Sequence, residues 1–131
     1  MIFCFTCAKI KKRHFIYILK GKTPIMISRT WHGIVPIENK NGFEKYEYET
    51  GVKDTQAIKG NKGAYLKVVE QGEYAHFFLC TKWDTMESMK AYAGNQPAIA
   101  VTYPEDDKYG LISDPIVLIQ EVLDYRNPFE N

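Results

Sequence analysis

Residues 60–94 read GNKGAYLKVVEQGEYAHFFLCTKWDTMESMKAYAG, which places a turn, two strands and a helix in one run. Gly60-Asn61-Lys62-Gly63 is turn chemistry. After it Ala64, Leu66 and Val68 alternate with Tyr65, Lys67 and Val69, the period of two that predicts a strand over 64–71. Gln71-Gly72-Glu73 ends that strand, and 74–83 follows as its hairpin partner. Ala75, Phe77, Leu79, Thr81 and Trp83 share one face of the partner; Tyr74, His76, Phe78, Cys80 and Lys82 share the other. Apolar residues on both faces predict a central strand covered on both sides. Asp84-Thr85-Met86-Glu87 has the spacing of a capping box, with Asp84 as N-cap. Met86, Met89 and Ala93 then share a helical stripe, which Gly94 stops.

Upstream, 25–31 predicts a strand, and Pro36 suits a first helical turn. Phe43, Tyr46, Glu47 and Thr50 recur at helical spacing within 37–50, with a further turn over 52–58. Downstream, Pro97 predicts a short helix to about Tyr103, and Pro104-Glu105-Asp106-Asp107 an acidic loop. The last strand is expected over 116–125, where Ile116-Val117-Leu118-Ile119 reads as buried throughout. The order is strand, helix, strand, strand, helix, strand. That is an α+β, ferredoxin-like split βαβ (βαββαβ) arrangement, a four-stranded antiparallel sheet with two helices on one face. The helices cover only one face, yet the third and fourth strands are apolar on both. A second copy of the sheet is the simplest cover, so a homodimer through the open sheet face is expected.

The 131 residues are 45% hydrophobic and 25% charged, with 17 basic against 16 acidic, which describes one globular domain and excludes a disordered or collagenous chain. The average hides a split. Residues 1–25 carry six basic side chains and no acidic one, leaving eleven basic and sixteen acidic in 26–131. The first segment reads as a basic N-terminal extension, disordered or arising from a start read too early, with 26–131 as the domain. It is no secretory signal, because its basic cluster follows the apolar run. Its apolar stretch 15–19 is far below the roughly 20 residues that span a bilayer. A basic, aromatic surface anchor is a competing reading of this segment, but no membrane partner is expected. Cys4 and Cys7 form a C-x-x-C that lacks both the further ligands of a zinc site and the flanking elements of a redox dithiol. No metal and no cofactor are expected. Without a disulfide framework or an export signal, the cytoplasm is the expected compartment.

Five segments carry a resemblance. They are Ile27-Ser28-Arg29-Thr30-Trp31-His32-Gly33, Gly60-Asn61-Lys62-Gly63-Ala64 and Trp83-Asp84-Thr85-Met86-Glu87-Ser88, followed by Ala91-Tyr92-Ala93-Gly94 and Ala100-Val101-Thr102-Tyr103-Pro104-Glu105-Asp106-Asp107. Together they resemble the antibiotic biosynthesis monooxygenase (ABM) family of the dimeric α+β barrel superfamily. The resemblance covers about 26–125 and leaves 1–25 outside. It implies a dimeric α+β barrel with a pocket in each protomer, between sheet and helices. Some members of the family oxidise polycyclic phenols with molecular oxygen and no bound flavin or metal; others degrade haem, and many have no assigned activity.

What the resemblance implies here is a cofactor-independent monooxygenase acting on a small aromatic or quinone-like molecule. The alternative is a non-catalytic small-molecule-binding or accessory dimer of the same fold. Oxygenation without a cofactor takes its electrons from the substrate as a carbanion or phenolate. It needs a group to assist deprotonation, donors for the oxyanion and aromatic walls that exclude water. Trp83, Arg29 and His32 are the candidate catalytic residues, and Trp31, Tyr92 and Tyr103 the candidate substrate contacts. Each has a plainer reading. Trp83 suits a core anchor, Tyr92 and Tyr103 suit packing with a bonded hydroxyl, Arg29 an ion pair with the acidic loop, and His32 a solvent-exposed strand end. His76 points away from Trp83 along its strand. Glu105, Asp106 and Asp107 diverge as neighbours and make a poor metal site.

The haem-degrading branch uses a strand-one Asn, a Trp at the strand-to-helix junction and a His after the second helix. Trp83 matches the junction, but Ser28 or Arg29 stands near the Asn position and no His occurs after residue 76. Haem degradation is therefore the weaker branch. No phosphate-cradling loop, dinucleotide fingerprint or nucleophile elbow is present. The acidic balance of 26–131 argues against nucleic acid as a partner.

Overall fold

The computed structural model describes residues 25–123; the C-x-x-C of Cys4 and Cys7, the basic extension and the predicted strand end at Tyr125 lie outside them. Met26–Glu121 forms one compact unit. Strand β1 (Ile25–Pro36) pairs antiparallel with β3 (Tyr74–Trp83), from Ile27 opposite Trp83 to Pro36 opposite Tyr74. It runs past the end expected at Trp31 because Gly33–Val35 complete the ladder against Phe77–Ala75. Pro36 has no N–H with which to continue. The Ile37 amide donates instead to the Glu73 carbonyl at 2.9 Å, and a 3-10 turn (Ile37–Asn39) begins.

The first helical stretch then comes in three pieces. They are α1 (Lys40–Glu47), a π-helical turn (Tyr48–Val52) and α2 (Lys53–Gln56). β2 (Asn61–Gln71) and β3 form the hairpin read from the alternation, with Gln71 opposite Tyr74 and Gly72-Glu73 between. α3 (Met86–Ala93) follows. Its N-cap is Thr85 and not Asp84: the Thr85 hydroxyl accepts from the Ser88 amide, while Asp84 accepts from the Ser88 hydroxyl at 2.7 Å.

No helix forms over 97–103. There Ile99 bridges to Ile116, the Ala100 amide donates to the Pro115 carbonyl and the Val117 amide to the Ala98 carbonyl. Those distant partners satisfy the backbone that a helix would have paired locally. The last strand is split by Asp114-Pro115 into β4 (Ile112–Ser113) and β5 (Leu118–Leu123), both paired with β1. The sheet order β2-β3-β1-β4, with β5 also on β1, makes an open antiparallel sheet of ferredoxin-like α+β topology.

The core lies on the helical face. Phe43 meets Phe77 edge-on at 4.8 Å, and Trp31, Val35, Val52, Ala75, Leu79 and Val117 pack around them. β3 buries Ala75, Phe77, Leu79, Thr81 and Trp83, while His76, Phe78, Cys80 and Lys82 on its other face are half-buried. The run expected to be buried throughout alternates instead. Val117 is 3% exposed, but Ile116 is 58% and Leu118 63% exposed. No helix among the described residues is long and apolar enough to cross a membrane.

Candidate functional site

Odd-numbered residues of β1 point to the helices, so Arg29 and Trp31 reach the same side as Leu79 of β3. There they line a cavity of about 20 Å³, room for little more than one water molecule. Glu47 from α1, Tyr92 from α3, and Tyr103 and Asp106 from the segment after α3 complete the polar wall.

Arg29 is 4% exposed. Its Nε donates to the Pro97 carbonyl and its Nη2 to the Ile99 carbonyl, both at 2.9 Å. The guanidinium lies over the Tyr92 ring, 5.7 Å from its centroid. Among the described residues it forms no ion pair with a carboxylate. Burial lowers its pKa, opposed by the nearby Tyr92 and Tyr103 hydroxyls. A desolvated cation held only by neutral acceptors leaves attraction for an anion in the cavity.

Glu47 is the last residue of α1 and is buried. Local structure makes room for it: the helix widens into the π-helical turn directly after it, and Gly51 has no side chain to fill the space. A methyl group at Gly51 would overlap the Glu47 carboxyl oxygen. The altered helix geometry is satisfied by hydroxyls. Thr50 donates to the Tyr46 carbonyl at 2.7 Å, and Thr55 donates to the carbonyls of Gly51 and Val52 at 2.8 Å. Burial pushes the Glu47 carboxyl up to about 8, with a contribution from the Asp106 charge. Burial raises Asp106 as well.

The two tyrosines are joined. Tyr92 Oη lies 3.2 Å from Tyr103 Oη, and the Tyr103 hydroxyl donates to Asp54 Oδ2 at 2.9 Å. Burial raises the pKa of both phenols. Trp83 stands behind Tyr92, its ring stacked at 6.3 Å and its Nε1 donating to the Thr81 hydroxyl at 2.8 Å. Residues 94–110 roof the cavity as a strap. Gly94 and Gly110 at its ends have φ of +83° and +67°, backbone that other residues rarely adopt. Arg29, the Tyr46 hydroxyl, which accepts from the Glu105 amide, and Asn39, which donates to the Tyr109 carbonyl, hold the strap down.

Of the candidate residues, Arg29, Trp31, Tyr92 and Tyr103 meet at the cavity. Trp83 does not line it and is fully buried, so its place is to support Tyr92. His32 is on the opposite face of the sheet, which removes it from this site. β1 continues beyond it, and strand parity turns residue 32 away from residues 29 and 31. There His32 Nδ1 meets Asp114 Oδ2 at 2.8 Å, its Nε2 meets His76 Nδ1 at 3.0 Å, and its ring stacks on Phe78 at 4.5 Å. Glu47 and Asp54 are the site residues that sequence reasoning did not single out. The signal for Glu47 was a carboxylate on the same helical stripe as Phe43; Asp54 carried none.

No family model matches the chain, and no curated protein matches it. Among solved structures, that of Rv0793 from Mycobacterium tuberculosis is similar, with a TM-score of 0.45 and 12% identity over 78% of this chain and 98% of that one. The fold stated above rests on the strand order and register, not on that likeness.

Proposed function

We propose that the chain is an ABM-family protein whose cavity deprotonates a small aromatic, quinol-like molecule, holds it as an anion and lets it react with molecular oxygen. The observation that carries this reading is the pairing of a buried Arg29 that has no carboxylate partner among the described residues with a buried Glu47 carboxyl whose pKa is raised to about 8. A carboxylate of that basicity is matched to phenolic and enolic protons near neutral pH. The guanidinium stabilises the anion left behind. For an anthrone-type CH2 group, the substrate carbon supplies all four electrons that O2 accepts, two of them as the pair of the carbanion left by deprotonation. One oxygen atom of O2 becomes the ketone and the other leaves as water with the two hydrogens of the CH2. Trp31 and Tyr92 form the aromatic wall, and ligand enters when the strap at 94–110 lifts between its two glycines. In this reading the protein is a homodimer through its open sheet face.

The closed state of the cavity favours a second reading, in which the same dimer binds a small molecule without turning it over. Oxygen uptake by the full chain with a panel of anthrones and quinols separates the two. The first reading expects uptake above the uncatalysed rate with at least one class, and a loss of about a hundredfold in kcat for Glu47→Gln. Ligand quenching of tryptophan fluorescence with no uptake across the panel leaves the binding reading in its place.

A further inference from the structure

We propose that Tyr92, Tyr103 and Asp54 form a proton relay that connects the closed cavity with solvent. The inference rests on the reading of the cavity as a deprotonating site and names the route by which the proton leaves it.

Hydrogen-bond polarity sets the direction. The Asp54 carboxylate can only accept, so the Tyr103 hydroxyl gives it its proton at 2.9 Å. The Tyr103 oxygen is left to accept, and the Tyr92 hydroxyl donates to it across 3.2 Å. The chain therefore points from the cavity wall to Asp54, which is exposed on α2. At its inner end the Tyr92 oxygen has lone pairs for a donor in the cavity. Glu47 is the buried acid there, with Asp106 from the strap acting on it and Arg29 from β1 lining the same cavity. Glu47 and Tyr92 both line the cavity, which has room for about one water, the bridge the relay requires.

A single shift then balances. The Glu47 O–H bond breaks, the bridging water takes that proton and passes one of its own to Tyr92, Tyr92 passes its proton to Tyr103, and Tyr103 passes its proton to Asp54. Each hydroxyl gains one O–H bond and loses one. Glu47 ends as a carboxylate, and Asp54 releases its proton to bulk water. No tyrosinate forms, which agrees with burial disfavouring the ionised phenols. Because Tyr103 rides on the strap, the route is complete only while the cavity is shut. A base regenerated there thus stays shielded from water and still loses its proton.

Glu47 itself is the probe, so no ligand is needed. The carboxyl carbon of Glu47 is followed by 13C NMR through its titration in the full chain, in wild type, Tyr103→Phe and Asp54→Asn. Exchange between the protonated and ionised forms should slow about tenfold or more in both variants, with the midpoint retained. Asp54→Asn is a substitution at an exposed site that keeps an acceptor for Tyr103 and removes only the capacity to take up a proton, so it separates relay from folding. Equal exchange rates in all three proteins overturn the relay, and so does slowing in Tyr103→Phe alone. A wild-type midpoint at an ordinary carboxyl value overturns the deprotonating site instead, and the rate comparison at that midpoint still decides the relay.

Discussion

The Glu47 carboxyl, pushed up to about 8 by burial, is protonated in most folded molecules at neutral pH with an ionised minority left to act as base, while in the unfolded chain it ionises near its ordinary 4.5. Between those values the folded chain holds the extra proton, so stability must fall as pH rises, by at most about 1.4 kcal/mol per pH unit. The contribution is complete below 4.5 and gone above about 8. Glu47→Gln should flatten that slope and be more stable than wild type at pH values above the window, as read from denaturant midpoints across it. Parallel curves for the two proteins would remove the buried neutral acid. At this scale the sequence was partly legible. Arg29 and Trp31 on the first strand, and Tyr92 and Tyr103 near the second helical region, are legible as aromatic or cationic types, and all four reach the cavity. A strand ending at Trp31 leaves His32 free to turn toward the site; with β1 continuing to Pro36, the alternation turns it to the other face. Glu47 was hidden because a carboxylate on a helix reads as solvated unless the widening of the next turn is known.

That widening belongs to the element. The π-helical turn Tyr48–Val52 works only because Gly51 leaves space between the Glu47 carboxyl and Leu79 Cδ2, which would lie 3.1 Å from an added Cβ. Elsewhere in a helix Gly→Ala is stabilising; here the methyl group must displace the carboxyl or the Leu79 side chain. Gly51→Ala should therefore destabilise by about 1–3 kcal/mol, the cost of overpacking a filled site. It should also bring the Glu47 titration down toward its ordinary range as the carboxyl is pushed toward solvent. A chemical denaturation curve and the Glu47 NMR titration check the two effects, and a stabilised variant would contradict the geometry. Helix position was legible from the spacing of Phe43, Tyr46 and Glu47, and the hairpin from its period of two. The strap was not, because Pro97 signals a helix start as readily as a loop. What decides between them are the Arg29 bonds to Pro97 and Ile99 and the pairing with Pro115 and Val117, all far away in the chain.

At the scale of the whole molecule, Ile116-Val117-Leu118-Ile119 decides what the sheet must meet. Four consecutive apolar residues in extended chain put two on each side, and in a single chain only Val117 and Ile119 reach the core. Ile116, Leu118, Ile112 and Tyr65 stand 58%, 63%, 59% and 55% exposed. Apolar side chains presented together in this way mark an interaction surface. One polar group among them is already matched: His32 has both ring nitrogens engaged, by Asp114 and His76. Covering that face would strand neither nitrogen. A sheet face is also self-complementary under a two-fold axis, which suits a second copy of the chain. The proposed dimer therefore predicts that the full chain sediments at twice its 15.2 kDa at micromolar concentration. Leu118→Glu, which sets like charges into the joined faces, should sediment as a 15.2 kDa monomer with the circular dichroism of the wild type. A wild-type chain that stays at the single mass across that range removes the dimer and leaves the apolar face to another partner. The cavity residues, which lie on the other side of the sheet, would keep their geometry in either case.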